Sequence, residues 1–175
     1  IYRKYGSCID VAVCESRVTG IERLLEINPE INMFVLDDAF QHRYVKPKVA
    51  ILLTDYRKLP SEDKMLPLGG LREPKEALSR ADIVVVTKCP RDMKPIDVNV
   101  VKKKLNLAKW QKVLFSTYKY KDMLPVFSGE NTYQPDLNWL NSNDTILIVT
   151  GIANPVPMVK WLKQYKAKVK VIHFS

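Results

Sequence analysis

Asn32-Met-Phe-Val-Leu-Asp-Asp-Ala-Phe-Gln-His-Arg43 sets four apolar residues directly against two carboxylates. Met33 to Leu36 is an unbroken apolar run of buried-strand length. Asp37 and Asp38 end it, and Gln41, His42 and Arg43 follow within a few residues. Such a pattern predicts a strand over Ile31 to Leu36 whose carboxyl end opens into a polar crevice. In open α/β sheets ligands bind at that edge. Two adjacent carboxylates repel one another, so keeping both ionised favours a cation beside them.

Working outward, short apolar runs alternate with amphipathic ones. Upstream, Ile9 to Cys14 reads as a strand, and Gly20 to Ile27 carries Ile21, Leu24, Leu25 and Ile27 at helical spacing, stopped by Asn28-Pro29. Downstream, Val49 to Thr54 reads as a strand that again stops at an acid, Asp55. A Pro- and Gly-containing segment from Tyr56 to Pro74 has little periodicity, and loops of that length tend to be functional or disordered. Pro74 is suited to open a helix reaching about Arg80. Asp82 to Thr87 contains Ile-Val-Val-Val, a buried-strand signature. A basic helix over Val98 to Leu107, a strand over Lys112 to Thr117 and an irregular stretch over Lys119 to Asn143 follow, the last with a short turn around Leu137 to Leu140. Thr145 to Thr150 is a strand stopped by Gly151. Pro157 to Tyr165 is a helix with Met158, Trp161 and Leu162 inward, and Lys168 to Phe174 alternates as a strand. Strands that are apolar throughout and alternate with helices define an α/β fold, a mostly parallel sheet with helices on both faces.

The 175 residues suffice for one α/β domain with a core, or one domain plus a smaller lobe of undefined boundary. Hydrophobic residues at 46% exclude a disordered chain. Starting at Ile1 and stopping straight after an apolar alternation, the chain reads as a piece cut from a longer protein. The net charge of +9 favours anionic partners, although a solvated basic surface explains it equally. The basic residues are scattered, and aromatics do not interleave with them as in a nucleic-acid stacking platform, so no nucleic-acid partner is expected. Cys8, Cys14 and Cys89 form no C-x-x-C pair, which argues against zinc or a disulfide framework and fits a reducing cytoplasm. Buried thiols are the plain reading of Cys14 and Cys89. No apolar run approaches the roughly 18 residues of a membrane span.

Four stretches carry candidate chemistry. An apolar strand ending in Asp is the pattern that holds Mg²⁺ against nucleotide phosphates in P-loop phosphotransferases. Asp37 and Asp38 fit it, with Gln41 able to order a water or accept at the metal and His42 able to carry a proton. A surface turn or a helix cap fits the acid pair as well. In Leu66-Pro-Leu-Gly-Gly-Leu-Arg-Glu-Pro74, Gly69 and Gly70 permit close backbone approach to a ligand, and Arg72 before a helix start would make an anion site. A plain loop-to-helix junction is the alternative. Ile83-Val-Val-Val-Thr-Lys88 ends like the base-binding strand of GTPases, but Pro90 stands where that motif needs Asp, so guanine recognition is unsupported. Thr87 and Lys88 either flank a nucleotide base or simply close a strand. In Thr150-Gly-Ile-Ala-Asn-Pro155, Asn154 either faces the nucleotide or caps a helix. His173 continues an apolar strand face and reads as a satisfied buried histidine. No G-x-x-x-x-G-K-[ST] phosphate loop is present.

Asp37-Asp-Ala-Phe-Gln-His-Arg43, Leu66 to Pro74, Asp82 to Lys88 and Gly151 to Pro155, in this order, resemble the tetraacyldisaccharide 4′-kinases, the lipid A 4′-kinase family LpxK. The resemblance spans essentially the whole chain. One departure is Ala39, where the family has Gly, which the turn tolerates if φ there is negative. It implies a P-loop kinase core with a second lobe, and ATP- and Mg²⁺-dependent transfer of phosphate to the 4′-hydroxyl of a lipid A precursor disaccharide at the cytoplasmic face of the Gram-negative inner membrane. It implies metal roles for Asp37, Asp38 and Gln41 and phosphoryl-charge stabilisation by Arg72 with Glu73. It also implies that the phosphate loop, the catalytic base and a membrane-inserting helix lie before Ile1, and a further histidine motif beyond Ser175, so that this stretch alone would be inactive. An anionic membrane surface is an implied partner, and no obligate protein partner is inferred. The rival readings are a P-loop GTPase or ATPase switch and a basic α/β nucleic-acid-binding module.

Overall fold

The computed structural model describes residues 9–121, 123–124 and 137–174, apart from the side chain of Trp139. Cys8 and the irregular segment around Pro125, Gly129 and Pro135 lie outside the described residues. The chain divides into two compact units, Ile1–Tyr118 and Lys119–Ser175.

In the first unit, helix α1 spans Arg17–Ile27. It starts earlier than the periodicity suggests because Ser16 caps it, its hydroxyl accepting from the Thr19 N–H at 3.4 Å. Asn28 closes it, as expected. Strand β1 (Ile51–Asp55), a 3-10 helix (Lys75–Arg80), strand β2 (Ile83–Thr87), helix α2 (Pro95–Leu105) and strand β3 (Lys112–Phe115) follow. The sheet order is β1-β2-β3 and both pairings are parallel, with Asp55 opposite Thr87 and Val86 opposite Phe115. The carboxyl ends of β1 and β2 therefore lie side by side. Lys102, Lys103 and Lys104 cluster in the last turn of α2, where cations complement the helix dipole, and Asn106 ends the helix in a left-handed conformation.

The core beneath this sheet gathers Leu59, Ala81, Val84, Val86, Cys89, Val101 and Leu105, with Phe40, Leu52, Tyr56, Leu78, Met93, Leu107, Val113 and Phe115 packed against it. Val84 and Val86 alternate inward from β2, as a strand buried between layers demands.

Two expected strands are absent. Ile9 to Cys14 and Ile31 to Leu36 form no regular element and pair with no strand among the described residues. A strand needs a neighbour to take its N–H and C=O groups, and the described residues provide none for either segment. Met33 and Val35 accordingly stand 75% and 86% exposed. The stretch from Pro74 forms a six-residue 3-10 helix, with Pro74 at its cap, and not an α-helix.

The second unit holds a 3-10 turn (Leu137–Trp139), strand β4 (Thr145–Thr150), helix α3 (Val156–Leu162) and strand β5 (Lys168–His173). Strands β4 and β5 pair in parallel, Thr145 with Lys168 through Thr150 with His173. Leu137, Ile148 and Leu162 form its core, joined by Met158, Trp161 and Tyr165. The Trp161 ring stacks on Tyr120 at 4.7 Å and meets Tyr165 edge-on at 5.6 Å. His173 is satisfied, its Nε2 lying 2.9 Å from the Ile152 carbonyl, but it is exposed and not buried. Among the described residues the strands β1 to β5 pair in parallel, consistent with an α/β fold. Among the described residues no helix is long and apolar enough to cross a membrane.

Candidate active site

The acid pair sits on a turn, and Phe40 anchors that turn. Its ring packs against the core of the first unit while Asp37 and Asp38 stay exposed. The His42 N–H donates to the Ala39 carbonyl at 2.9 Å and closes the following turn. Asp38 takes a left-handed conformation with φ of 45°. Asp is among the few residue types that tolerate it. Ala39 is not among the positive-φ residues, so the position where the family has Gly makes no conformational demand here.

Arg72 meets this turn from the other motif. Its Nη1 donates to both carboxylate oxygens of Asp38, at 3.0 and 2.8 Å, across 34 residues of sequence. The hydrogen bond and charge of Asp38 push the Arg72 pKa further up, so the guanidinium is always charged. Both side chains are exposed, and pairs of that kind add little stability. The contact matters for placement. The outer edge of the guanidinium, Nε and Nη2, engages no partner among the described residues.

Glu73 makes a second link. It pairs with Arg80 and lies 3.9 Å from Arg43. The Arg80 guanidinium in turn sits 4.5 Å above the Phe40 ring centroid, a cation–π geometry. One acid-turn residue, Phe40, thus carries the arginine that holds Glu73. The structure brings Asp37, Asp38, Gln41, His42, Arg72 and Glu73 into one neighbourhood through these two contacts. Gln41 and His42 are half-buried within the same turn.

The expectation of an anion site at a helix start does not hold. The 3-10 helix is too short to build an appreciable dipole, and Arg72 lies before its cap. The expected role of Gly69 and Gly70 also changes. A Cβ on Gly69 would fall 2.1 Å from the Lys64 carbonyl oxygen and one on Gly70 2.6 Å from Lys58 Nζ. The close approach they permit is to their own loop.

Thr87 and Lys88 lie at the carboxyl edge of the sheet. The Thr87 hydroxyl donates to the Thr54 carbonyl at 3.0 Å, and Lys88 Nζ donates to Asp55 at 2.8 Å. Partial burial pushes the Asp55 carboxyl up, but Lys88 and the Arg57 N–H outweigh it and hold it low. Asp55 raises Lys88 reciprocally. Lys88 adopts φ of 59° to make this contact. Both side chains are thus engaged in tying β2 to β1. Asp55 was legible only as another acid at a strand end. Asn154 belongs to the second unit, where its Oδ1 accepts from the Val156 N–H at 3.2 Å in a turn leading into α3; the cap itself is Pro155.

Among the described residues no three His, Cys, Asp or Glu side chains gather as a metal cage. Mg²⁺ does not need one, because it takes one or two carboxylates and completes its shell with water and phosphate. Asp37 is exposed and engages no partner among the described residues, and Gln41 adds a neutral oxygen. Carboxylate and amide oxygens are the donor types a hard divalent cation takes, and Asp37 is the open carboxylate while Asp38 is engaged by Arg72.

Comparison with known proteins follows the same lines. The family described as Tetraacyldisaccharide-1-P 4'-kinase matches residues 1–175. A Tetraacyldisaccharide 4'-kinase of Bacteroides thetaiotaomicron is 47% identical over 181 aligned positions, covering 100% of this chain and 47% of the relative. The protein of that name from Bacteroides fragilis is 46% identical, covering 97% of this chain and 46% of the relative. That of Cytophaga hutchinsonii is 41% identical, covering 87% and 40%. The chain spans about half the length of the curated relatives it matches. No solved structure matches it. The chain belongs to the tetraacyldisaccharide-1-P 4'-kinase family, LpxK.

Proposed function

We propose that this chain supplies part of the active site of a kinase that transfers the γ-phosphate of ATP to the 4′-hydroxyl of a tetraacyldisaccharide 1-phosphate in lipid A synthesis. The observation that carries the reading is the Arg72–Asp38 contact, which joins the two motifs across 34 residues. Family membership and the relatives' names support the same reaction.

In phosphoryl transfer the protein mainly positions groups and balances charge, since negative charge spreads over the equatorial oxygens of the transferred group. Asp38 holds the Arg72 guanidinium by one nitrogen and leaves its outer edge for those oxygens. Arginine suits this task because its planar fork matches phosphate geometry. Glu73, held by Arg80, keeps the backbone after Arg72 in place. Asp37 and Gln41 would hold Mg²⁺, which when bound neutralises phosphate charge. His42, half-buried on the same turn, is placed to orient or protonate a phosphate oxygen. Thr87 and Lys88 would border the nucleotide through backbone and aliphatic surface, since their polar groups are engaged.

The net charge of +9 supports a peripheral position on an anionic membrane, the cytoplasmic face of the inner membrane, where the anionic glycolipid substrate resides. The test is transfer from labelled ATP to the disaccharide by the full-length protein with Mg²⁺. Label at the 4′-position is the expected result; no label on the lipid would contradict the reading.

A further inference from the structure

The loop between Leu59 and Arg72 is organised around one carboxylate. Asp63 Oδ1 accepts from the Lys64 N–H at 2.8 Å and from the Gly70 N–H at 3.1 Å, and Oδ2 accepts from the same Gly70 N–H at 3.1 Å. Lys58 Nζ lies 3.2 Å from Oδ2, and the Asp63 side chain is only 9% exposed. Around it the loop closes on itself. The Leu66 N–H donates to the Leu71 carbonyl at 2.9 Å, Leu71 N–H to Lys64 at 3.0 Å and Gly69 N–H to Met65 at 3.0 Å.

Both ends of this loop are anchored. At its start, the Lys58 N–H donates to the Asp55 carbonyl at the end of β1, and Leu59 is buried in the core. At its exit, Arg72 follows the closing residue Leu71 and reaches Asp38. The glycines fit because the loop is closely packed: a Cβ on Gly69 would fall 2.1 Å from the Lys64 carbonyl oxygen and 2.6 Å from Asp63 Oδ1, and one on Gly70 2.6 Å from Lys58 Nζ and 3.1 Å from Asp63 Oδ2. Neither has a positive φ, so space and not backbone strain selects them.

We propose that Asp63 is a positioning residue for phosphoryl transfer, fixing the loop so that Arg72 leaves it aimed at the acid turn. The inference rests on the proposed kinase function. Asp63 acts through the backbone of Lys64 and Gly70, whose N–H groups its carboxylate holds. Two carboxylate oxygens are needed to gather two N–H groups and an ammonium at once. Loss of water around the carboxyl pushes its pKa up, but the Gly70 and Lys64 N–H groups and Lys58 outweigh this and hold it below 3.8. It is therefore ionised throughout the neutral range. Asparagine preserves its shape but turns an amide N–H₂ toward one set of donors.

The test is a double-mutant cycle on the full-length kinase with Asp63→Ala, Arg72→Ala and the pair, following kcat and KM separately, with circular dichroism to verify folding. Misplacing a charge-stabilising group by about 1 Å costs on the order of 100-fold in rate. Asp63→Ala is expected to lower kcat by about 10- to 100-fold with KM for ATP little changed. The pair is expected to be no slower than Arg72→Ala alone, since an absent arginine cannot be misplaced. Asp63→Asn, measured in the same cycle, gives an intermediate kcat and carries the test if Asp63→Ala does not fold. Wild-type kcat in the Asp63 variants beside an impaired Arg72→Ala overturns the inference alone, as does a pair whose losses multiply. Wild-type kcat in Arg72→Ala overturns the site assignment and the inference with it.

Discussion

Arg72 is charged throughout the neutral range and donates to Asp38 from one nitrogen, which leaves Nε and Nη2 without a partner among the described residues. Lysine keeps the charge but not the fork. Arg72→Lys should therefore reproduce most of the loss seen in Arg72→Ala, about 100-fold in kcat or more, with little change in Tm because the ion pair is exposed. Equal kcat in Arg72→Lys and wild type would show that only a point charge is needed. At this scale the sequence was informative where chemistry is carried by residue type. Adjacent carboxylates and an arginine after two glycines stand out in any reading. Phe40 and Asp63 do not. Their roles come from partners brought near by folding, a core and an arginine for Phe40, a distant glycine N–H for Asp63. Nothing in the local spacing announces such partners.

The acid motif is a turn clamped to the sheet by Phe40. Removing that ring takes away packing against the core and the surface under Arg80. Phe40→Ala should destabilise the protein by about 2 kcal/mol, less than a fully buried phenylalanine, and should lower kcat beyond what the stability loss explains. Chemical denaturation and kinetics together check this; a loss of stability with unaltered kcat would mean that Phe40 does not set the turn. The sheet edge has its own signature. Asp55 is held low and Lys88 high, each by the other in part. The pair's contribution is complete between the unfolded carboxyl and ammonium values, about 4 and 10. It fades as pH falls through the folded Asp55 value, and again as pH rises through that of Lys88. Both side chains are partly exposed, so its size is below about 1 kcal/mol. The Tm gap between wild type and Asp55→Asn should narrow from about pH 6 to about pH 2; a constant gap would sink the assignment. Strands β1, β2 and β4 were legible from short apolar runs, and β3 and β5 from alternation. Ile31 to Leu36 has the same pattern but no neighbour to pair with, and pairing is not written in a single run. The Pro74 segment was misread as α-helix because its start signal is strong, while six residues hold only the tighter 3-10 form.

The molecule comprises two compact units, each with a parallel sheet and its own core. Its order of motifs made the family visible in the sequence, although no motif alone was sufficient. If the proposed membrane position holds, this chain's charge of +9 contributes to attraction by anionic lipid. Binding to vesicles containing anionic lipid should weaken as salt rises through the range where the Debye length falls from about 10 to 3 Å. Salt-independent sedimentation with such vesicles would assign binding to apolar insertion alone. In the proposed kinase the acid pair and Arg72 form one phosphotransfer site. The most direct measurement is the Mg²⁺-dependent kcat of the full-length protein with Asp37→Ala and Asp38→Ala combined, using ATP and tetraacyldisaccharide 1-phosphate. A loss of about 1000-fold or more in a folded protein is the result expected when metal binding and arginine placement fail together. A wild-type rate would contradict it.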